Sequence, residues 1–243
     1  MDFCKIIAVG IIQAITEFLP ISSSGHLTIF QHFVSFKDGF FIDVFYNTAT
    51  LVSVLFFFRS HLKDFLNKLP FLLISTLPLV VLTLLFPSSI KSIFSHTSLL
   101  SLSFLITSIF LFATKFSAPK NNHITFSKAL TIGLVQSIAI LPGVSRSAMT
   151  ITTALLLGLS AQNAFIYSFY LYIPVSLGAL VLSLTDFTNP YPLNLSHFVS
   201  FIVCVIVGVF SLKFINRILI QKSFWKFGFY TLFLAVFTFL VIH

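Results

Sequence analysis

The chain has 243 residues, 57% of them hydrophobic and only 8% charged. A soluble domain carries about 25% charged residues to keep its surface wet, so this composition excludes a water-soluble globular protein. The net charge of +8 belongs to loops beside an anionic membrane surface rather than to a nucleic-acid partner, and the length suits one compact membrane bundle.

In chain order, the first element is an apolar region over 3–35, interrupted at Leu19-Pro20-Ile21-Ser22-Ser23-Ser24-Gly25-His26. Its polar residues and the lack of a small-residue cleavage site speak against a signal peptide. Uninterrupted apolar runs follow at 41–58, 69–86 and 98–114. A second interrupted region covers 126–158, broken at Leu141-Pro142-Gly143-Val144-Ser145-Arg146-Ser147, and runs at 161–184, 197–219 and 224–242 complete the chain. At about 17–25 residues each, the six uninterrupted runs are long enough to span a bilayer as helices. The 33 phenylalanines are expected on lipid-facing surface. Cys4 and Cys204 stand far apart in apolar runs and suggest neither a metal site nor a disulfide.

The two interrupted regions resemble each other. Gly10-Ile11-Ile12-Gln13-Ala14-Ile15 matches Gly133-Leu134-Val135-Gln136-Ser137-Ile138 at an offset of 123, and Pro20 matches Pro142 at 122, each followed by a Ser-rich break. The chain is therefore expected to be a single membrane domain, 1–243, made of two structural repeats, 1–122 and 123–243. Internal repeats with matched interruptions point to a site buried in the membrane. If both interrupted regions dip in and return, Lys5, Lys37 and Lys91 lie on one side. Arg59, Lys63, Lys68, Lys115, Lys120, Lys128, Lys213, Arg217, Lys222 and Lys226 lie on the other. If each crossed once, the same charges would divide evenly, so the positive-inside rule favours two re-entrant hairpins. The expected fold is all-α: six transmembrane helices plus two re-entrant helical hairpins in an inverted-topology repeat, with both termini outside. An odd number of spans separates the hairpins, so their tips enter from opposite faces and can meet.

Glu17 is the one glutamate in the chain, and Arg146 the one arginine away from a loop or helix end. A charge at the bilayer centre costs about 2.5–3.5 kcal/mol on insertion scales, so each needs a partner or a polar cavity. Ser22, Ser23, Ser24 and His26 follow the first break; Ser145, Ser147 and Thr150 surround Arg146 in the second. Helix starts favour anions, and the arginine fork matches phosphate oxygens, so the constellation suits a phosphorylated lipid.

Glu17 to His26 and Pro142 to Ser147 closely resemble the two signature motifs of the undecaprenyl-diphosphate phosphatases, also called bacitracin-resistance proteins. The likeness extends through Phe41 to Arg59 and Ser168 to Ala179. It implies a bacterial inner-membrane hydrolase that converts undecaprenyl diphosphate to the monophosphate carrier lipid of wall synthesis. By position, the resemblance makes Glu17, Ser23, His26 and Arg146 catalytic, with Gln13, Ser22, Ser24, Ser145, Ser147 and Thr150 binding substrate. It also implies a divalent cation, Mg2+ or Ca2+, with Glu17 as the candidate metal ligand. Two positions depart from the family pattern: Gln13 stands where a second glutamate is usual, and Ala148 where glycine is usual.

The expected reaction is in-line phosphoryl transfer. Ser23, His26 and a directly attacking water are the three candidate nucleophiles. A polyprenyl-phosphate transporter, or flippase, is the alternative function, because opposed hairpins in inverted repeats are also transporter architecture. The expected partners are a membrane lipid substrate and no nucleic acid, with a homodimer left open.

Overall fold

Every predicted apolar run becomes a helix in the computed structural model, which describes residues 3–34, 40–87, 99–119, 122–185 and 194–242. Lys37, Lys91 and Lys120, three members of the charge count, lie outside the described residues, as do run ends 35 and 98. The helices are α1 (Phe3–Phe18), α2 (Ser23–Val34), α3 (Phe40–Phe57), α4 (Leu62–Leu85), α5 (Leu100–Ala113), α6 (Phe126–Ser137), α7 (Arg146–Leu156), α8 (Ala161–Thr185), α9 (Leu195–Ile220) and α10 (Phe227–Val241). No strand occurs among the described residues. Four helical stretches, 59–85, 161–183, 195–220 and 224–241, are long and apolar enough to cross a membrane, and shorter apolar helices accompany them. The protein is a multi-pass, all-α membrane protein.

Each interrupted region is two helices joined by a bend, α1 to α2 and α6 to α7. Both bends contain a residue in the left-handed region, Ser22 at φ 68° and Gly143 at φ 95°. Restarting a helix after such a bend leaves its first N–H groups without intrahelical acceptors. Ser22 Oγ accepts from Gly25 N at 3.2 Å and Ser145 Oγ from Ala148 N at 3.3 Å, so equivalent serines cap α2 and α7. α4 begins seven residues before its predicted run, because Asp64 and Lys68, one turn apart, form an ion pair that lets charged residues continue the helix.

The two halves interlock. α1 packs on α9 and α6 on α4, while α3 meets α8 and α5 meets α10. Gly10 and Gly133 permit the first two approaches. A Cβ on Gly10 would stand 2.4 Å from Ser200 Oγ, and one on Gly133 2.4 Å from the Ser75 carbonyl oxygen. The serines then reach across in the same way. Ser200 donates to Ile6 O (2.8 Å) and meets the Tyr46 hydroxyl (2.7 Å); Ser75 donates to Ala129 O (2.7 Å) and meets the Tyr167 hydroxyl (2.6 Å). Ile6 and Ala129 differ by the same 123 residues as the sequence match.

The outward faces are apolar. On α9 the exposed Phe198, Ile202, Ile206, Phe210 and Phe214 recur every fourth residue, while Cys204, Gly208, Leu212, Ile215 and Leu219 are buried. That is the stripe of a helix with lipid on one side and protein on the other. The phenylalanines do not all face outward as expected. Phe18, Phe58, Phe165 and Phe169 are buried together with Tyr167, Tyr170 and Tyr172 in the main core, since aromatic rings fill the wide spaces where long helices cross. At one end of the bundle the Lys115 ammonium lies 5.2 Å from the Trp225 ring, so the turns after α5 and before α10 are neighbours.

Candidate active site

The two bends meet inside the bundle. Gly143 N donates to Ser24 Oγ at 3.4 Å, and Ser147 Oγ donates to Leu19 O at 3.2 Å. α5 supports the junction from behind: Thr107 Oγ1 accepts from Ser145 N at 3.1 Å and donates to Gly143 O at 3.2 Å. Buried polar groups need partners, and here the bends supply them for each other.

At the junction stands Glu17, in the last turn of α1. One carboxylate oxygen takes the Arg146 Nη2 donor in a salt bridge; the other accepts from Ser23 Oγ and from Gln13 Nε2, the latter at 3.1 Å. The pair is largely shielded, with side-chain exposures of 12% for Glu17 and 16% for Arg146. Ser23 opens α2 and Arg146 opens α7. A single carboxylate therefore sits where two helix N-termini converge, each carrying partial positive charge. The Arg146 guanidinium lies 3.9 Å from the centroid of the Tyr172 ring, and its buried Nη1 has no hydrogen-bond partner among the described residues.

The remaining predicted residues divide by what they touch. Ser22 and Ser145 cap helices, and each lies 3.2 Å from a second hydroxyl, Ser24 and Ser147 respectively. Thr150 is one turn into α7, donating to Arg146 O at 3.0 Å and meeting Ser168 Oγ at 2.5 Å. His26 turns toward the Ser22 carbonyl (Nδ1, 2.7 Å) and the Tyr230 hydroxyl (Nε2, 2.8 Å), not toward Ser23.

Several residues at the site gave no signal in the sequence. Tyr172 carries Arg146 on its face, and its hydroxyl is held by Thr50 Oγ1 (2.6 Å) and Asn47 Oδ1 (2.7 Å). Tyr172 lies within the stretch that matched the family, but nothing in its neighbours marks it. Tyr230 looks like one more aromatic in a Phe-rich helix. Gln136, matched to Gln13 in the sequence, is buried with its amide unpartnered among the described residues; the residue four places on is Ile140 rather than an acid. The two interrupted regions thus differ in chemistry: the first contributes the acid, the second the guanidinium.

For a cation, the donor set is narrow. The described residues contain no group of three His, Cys, Asp or Glu side chains, and three donors already share the Glu17 carboxylate. That arrangement does not fit a resident, protein-caged ion. It fits a cation carried in on phosphate oxygens and touched by one carboxylate, a common manner of binding Mg2+.

Residues 6–237 match the family model described as Bacitracin resistance protein BacA. Among similar curated proteins, the undecaprenyl-diphosphatase of Thermosipho africanus is 35% identical over 248 residues, covering 97% of this chain and 98% of the relative. Undecaprenyl-diphosphatase 1 of Bacillus cereus is 34% identical over 259 residues, 96% of each chain. The undecaprenyl-diphosphatase of Thermotoga petrophila is 34% identical over 238 residues, 96% of this chain and 98% of its own. A match running from α1 into α10 takes in both bends and the acid and arginine they bring together, so the chain belongs to the bacitracin resistance protein BacA family.

Proposed function

We propose that this protein hydrolyses undecaprenyl diphosphate to undecaprenyl phosphate and inorganic phosphate, recycling the carrier lipid of cell-wall synthesis and conferring bacitracin resistance. The observation that carries this reading is the shielded Glu17 carboxylate, shared by Ser23 and Arg146 where two helix N-termini converge. The names of the relatives support the same reaction.

Glu17 and Arg146 neutralise each other across the junction. A diphosphate offers Arg146 a better-matched partner for its planar fork, beginning at the unpartnered Nη1. As the guanidinium turns to phosphate, the Glu17 carboxylate is released to take the Ser23 proton. Ser23 Oγ then attacks the terminal phosphorus; the bond from phosphorus to the bridging oxygen breaks, and the polyprenyl monophosphate leaves with the electron pair. Water attack on the phosphoserine returns the hydroxyl and frees inorganic phosphate. The N–H groups opening α2 and α7 face the developing negative charge, where fixed donors are worth most. Ser23 is favoured over His26 as nucleophile because its hydroxyl rests on a carboxylate, while His26 Nε2 is already covered by Tyr230. A divalent cation, Mg2+ or Ca2+, would be held by the diphosphate with Glu17 beside it, and when bound it supplies neutralisation of phosphate charge.

The bends are read as tips of re-entrant hairpins of two inverted repeats, 1–122 and 123–243, in the bacterial inner membrane with both termini outside. Helix length supports this: α2 and α7 have 12 and 11 residues. At about 1.5 Å per residue both fall well short of the roughly 30 Å hydrocarbon core. The charge asymmetry supports the orientation.

Phosphate release from farnesyl diphosphate by purified protein in detergent tests the reaction. Wild type should release phosphate, and Arg146→Ala and Glu17→Ala should each lose at least about a hundredfold, the scale of a lost charge-stabilising group. No release from clean wild-type protein supplied with divalent cation overturns the reading and leaves transport ahead.

A further inference from the structure

Two ring contacts of His26, to the Ser22 carbonyl and the Tyr230 hydroxyl, set how its ring sits. The Ser22 carbonyl can only accept, so the Nδ1 atom 2.7 Å away carries the hydrogen. In the neutral ring Nε2 is then the lone-pair nitrogen, and the group 2.8 Å from it is the Tyr230 hydroxyl, which donates. The two rings also stack, with centroids 5.7 Å apart and planes 13° from parallel, and the edge of Phe104 closes the imidazole from another side at 6.1 Å. Tyr230 belongs to α10 and His26 to α2, 204 residues apart. Tyr230 is partly exposed on the outer face of α10, with its hydroxyl turned to His26.

We propose that Tyr230 is a positioning residue for phosphoryl transfer, holding the His26 ring beside the first bend through the stacked contact and the hydrogen bond from its hydroxyl to Nε2. This rests on the functional reading above and assigns to the last helix a part in the chemistry that neither motif contains. The Ser22 carbonyl alone cannot do this. It belongs to the bend that His26 itself follows, and it leaves the far side of the ring free to swing. The stacked face and the hydroxyl from α10 fix both the plane of the ring and the environment of Nε2. A tyrosine hydroxyl can donate to the neutral ring and accept from the protonated one, so the contact to α10 holds in either state of the ring.

Tyr230→Phe tests the hydroxyl by itself, because it preserves the ring that stacks on His26. Protein labelled with 15N-histidine is compared as wild type and Tyr230→Phe in the same detergent, with the His26 resonances identified by their loss in His26→Gln. Wild type should show the Nδ1–H pattern at His26, and Tyr230→Phe a mixture of tautomers, with the melting temperature unchanged. In the phosphate-release assay Tyr230→Phe should lower kcat about tenfold, the scale of one lost hydrogen bond, and leave KM within about twofold. In the His26→Gln background the same substitution should cost nothing more, as expected for residues acting as a unit. An unchanged nitrogen spectrum, an undiminished kcat, or an equal loss in both backgrounds overturns the inference. Should wild type release no phosphate, the functional reading fails separately, while the nitrogen spectrum still decides whether Tyr230 sets the tautomer.

Discussion

Arg146 does three things with one side chain. It neutralises Glu17, stands over the Tyr172 ring and keeps Nη1 unpartnered among the described residues. A lysine could neutralise the acid but would present a point charge, with neither the second donor in plane nor the flat face. Arg146→Lys is therefore expected to lower kcat/KM for phosphate release by about a hundredfold or more while the protein still extracts and melts as wild type. Activity within about threefold of wild type would show that charge alone suffices. The departure at Gln13 also has a physical account. Its amide donates to the carboxylate that a second acid at that position would repel. The sequence identified the residue pair, whereas the direction of the Gln13 hydrogen bond follows from the turn of α1.

At the scale of helices, the site depends on two close crossings, α1 on α9 and α6 on α4. Gly10 and Gly133 stood out in the sequence only as the first residues of the matched segments, and packing reveals what each makes room for. At Gly133 the obstacle to a Cβ is the Ser75 backbone, with its oxygen at 2.4 Å and its Cα at 2.8 Å; at Gly10 the nearest obstacle is the Ser200 hydroxyl at 2.4 Å. Backbone cannot step aside without moving the helix, while a hydroxyl can be removed. Gly133→Ala is expected to destabilise more than Gly10→Ala, within the roughly 1–3 kcal/mol typical of overpacking. Ser200→Ala should recover part of the Gly10→Ala loss. Thermal melting in detergent checks the order, and equal losses at the two positions would contradict it. The helices themselves were legible because apolar run length is a local signal. The early start of α4 was not, because a charged turn reads as loop until Asp64 and Lys68 are seen to pair.

For the whole molecule, the testable consequence is orientation. If the hairpins enter from opposite faces with both termini outside, Lys5 and Lys222 lie on opposite sides of the membrane. Single cysteines introduced as Lys5→Cys or Lys222→Cys, with Cys4 and Cys204 replaced by serine, should respond differently to a membrane-impermeant maleimide. The first should label in intact spheroplasts and the second only after permeabilisation. Labelling of both from outside would overturn the assigned topology. The charge asymmetry behind this expectation is a property of loops, and loops face water whatever the helices between them do.

The amino-acid sequence by itself determined that this is a helical membrane protein, that two short segments 123 residues apart are alike, and that one acid and one arginine stand at the two interruptions. These are consequences of composition, run length and local spacing, which operate without knowledge of neighbours. Tertiary structure alone decided that Glu17 and Arg146 share one salt bridge, that Tyr172 lies beneath the guanidinium, and that Tyr230 covers His26. Those partners are 26 to 204 residues apart. Their meeting depends on which helix faces bury against one another, a choice made by the summed packing of the whole bundle rather than by any one segment.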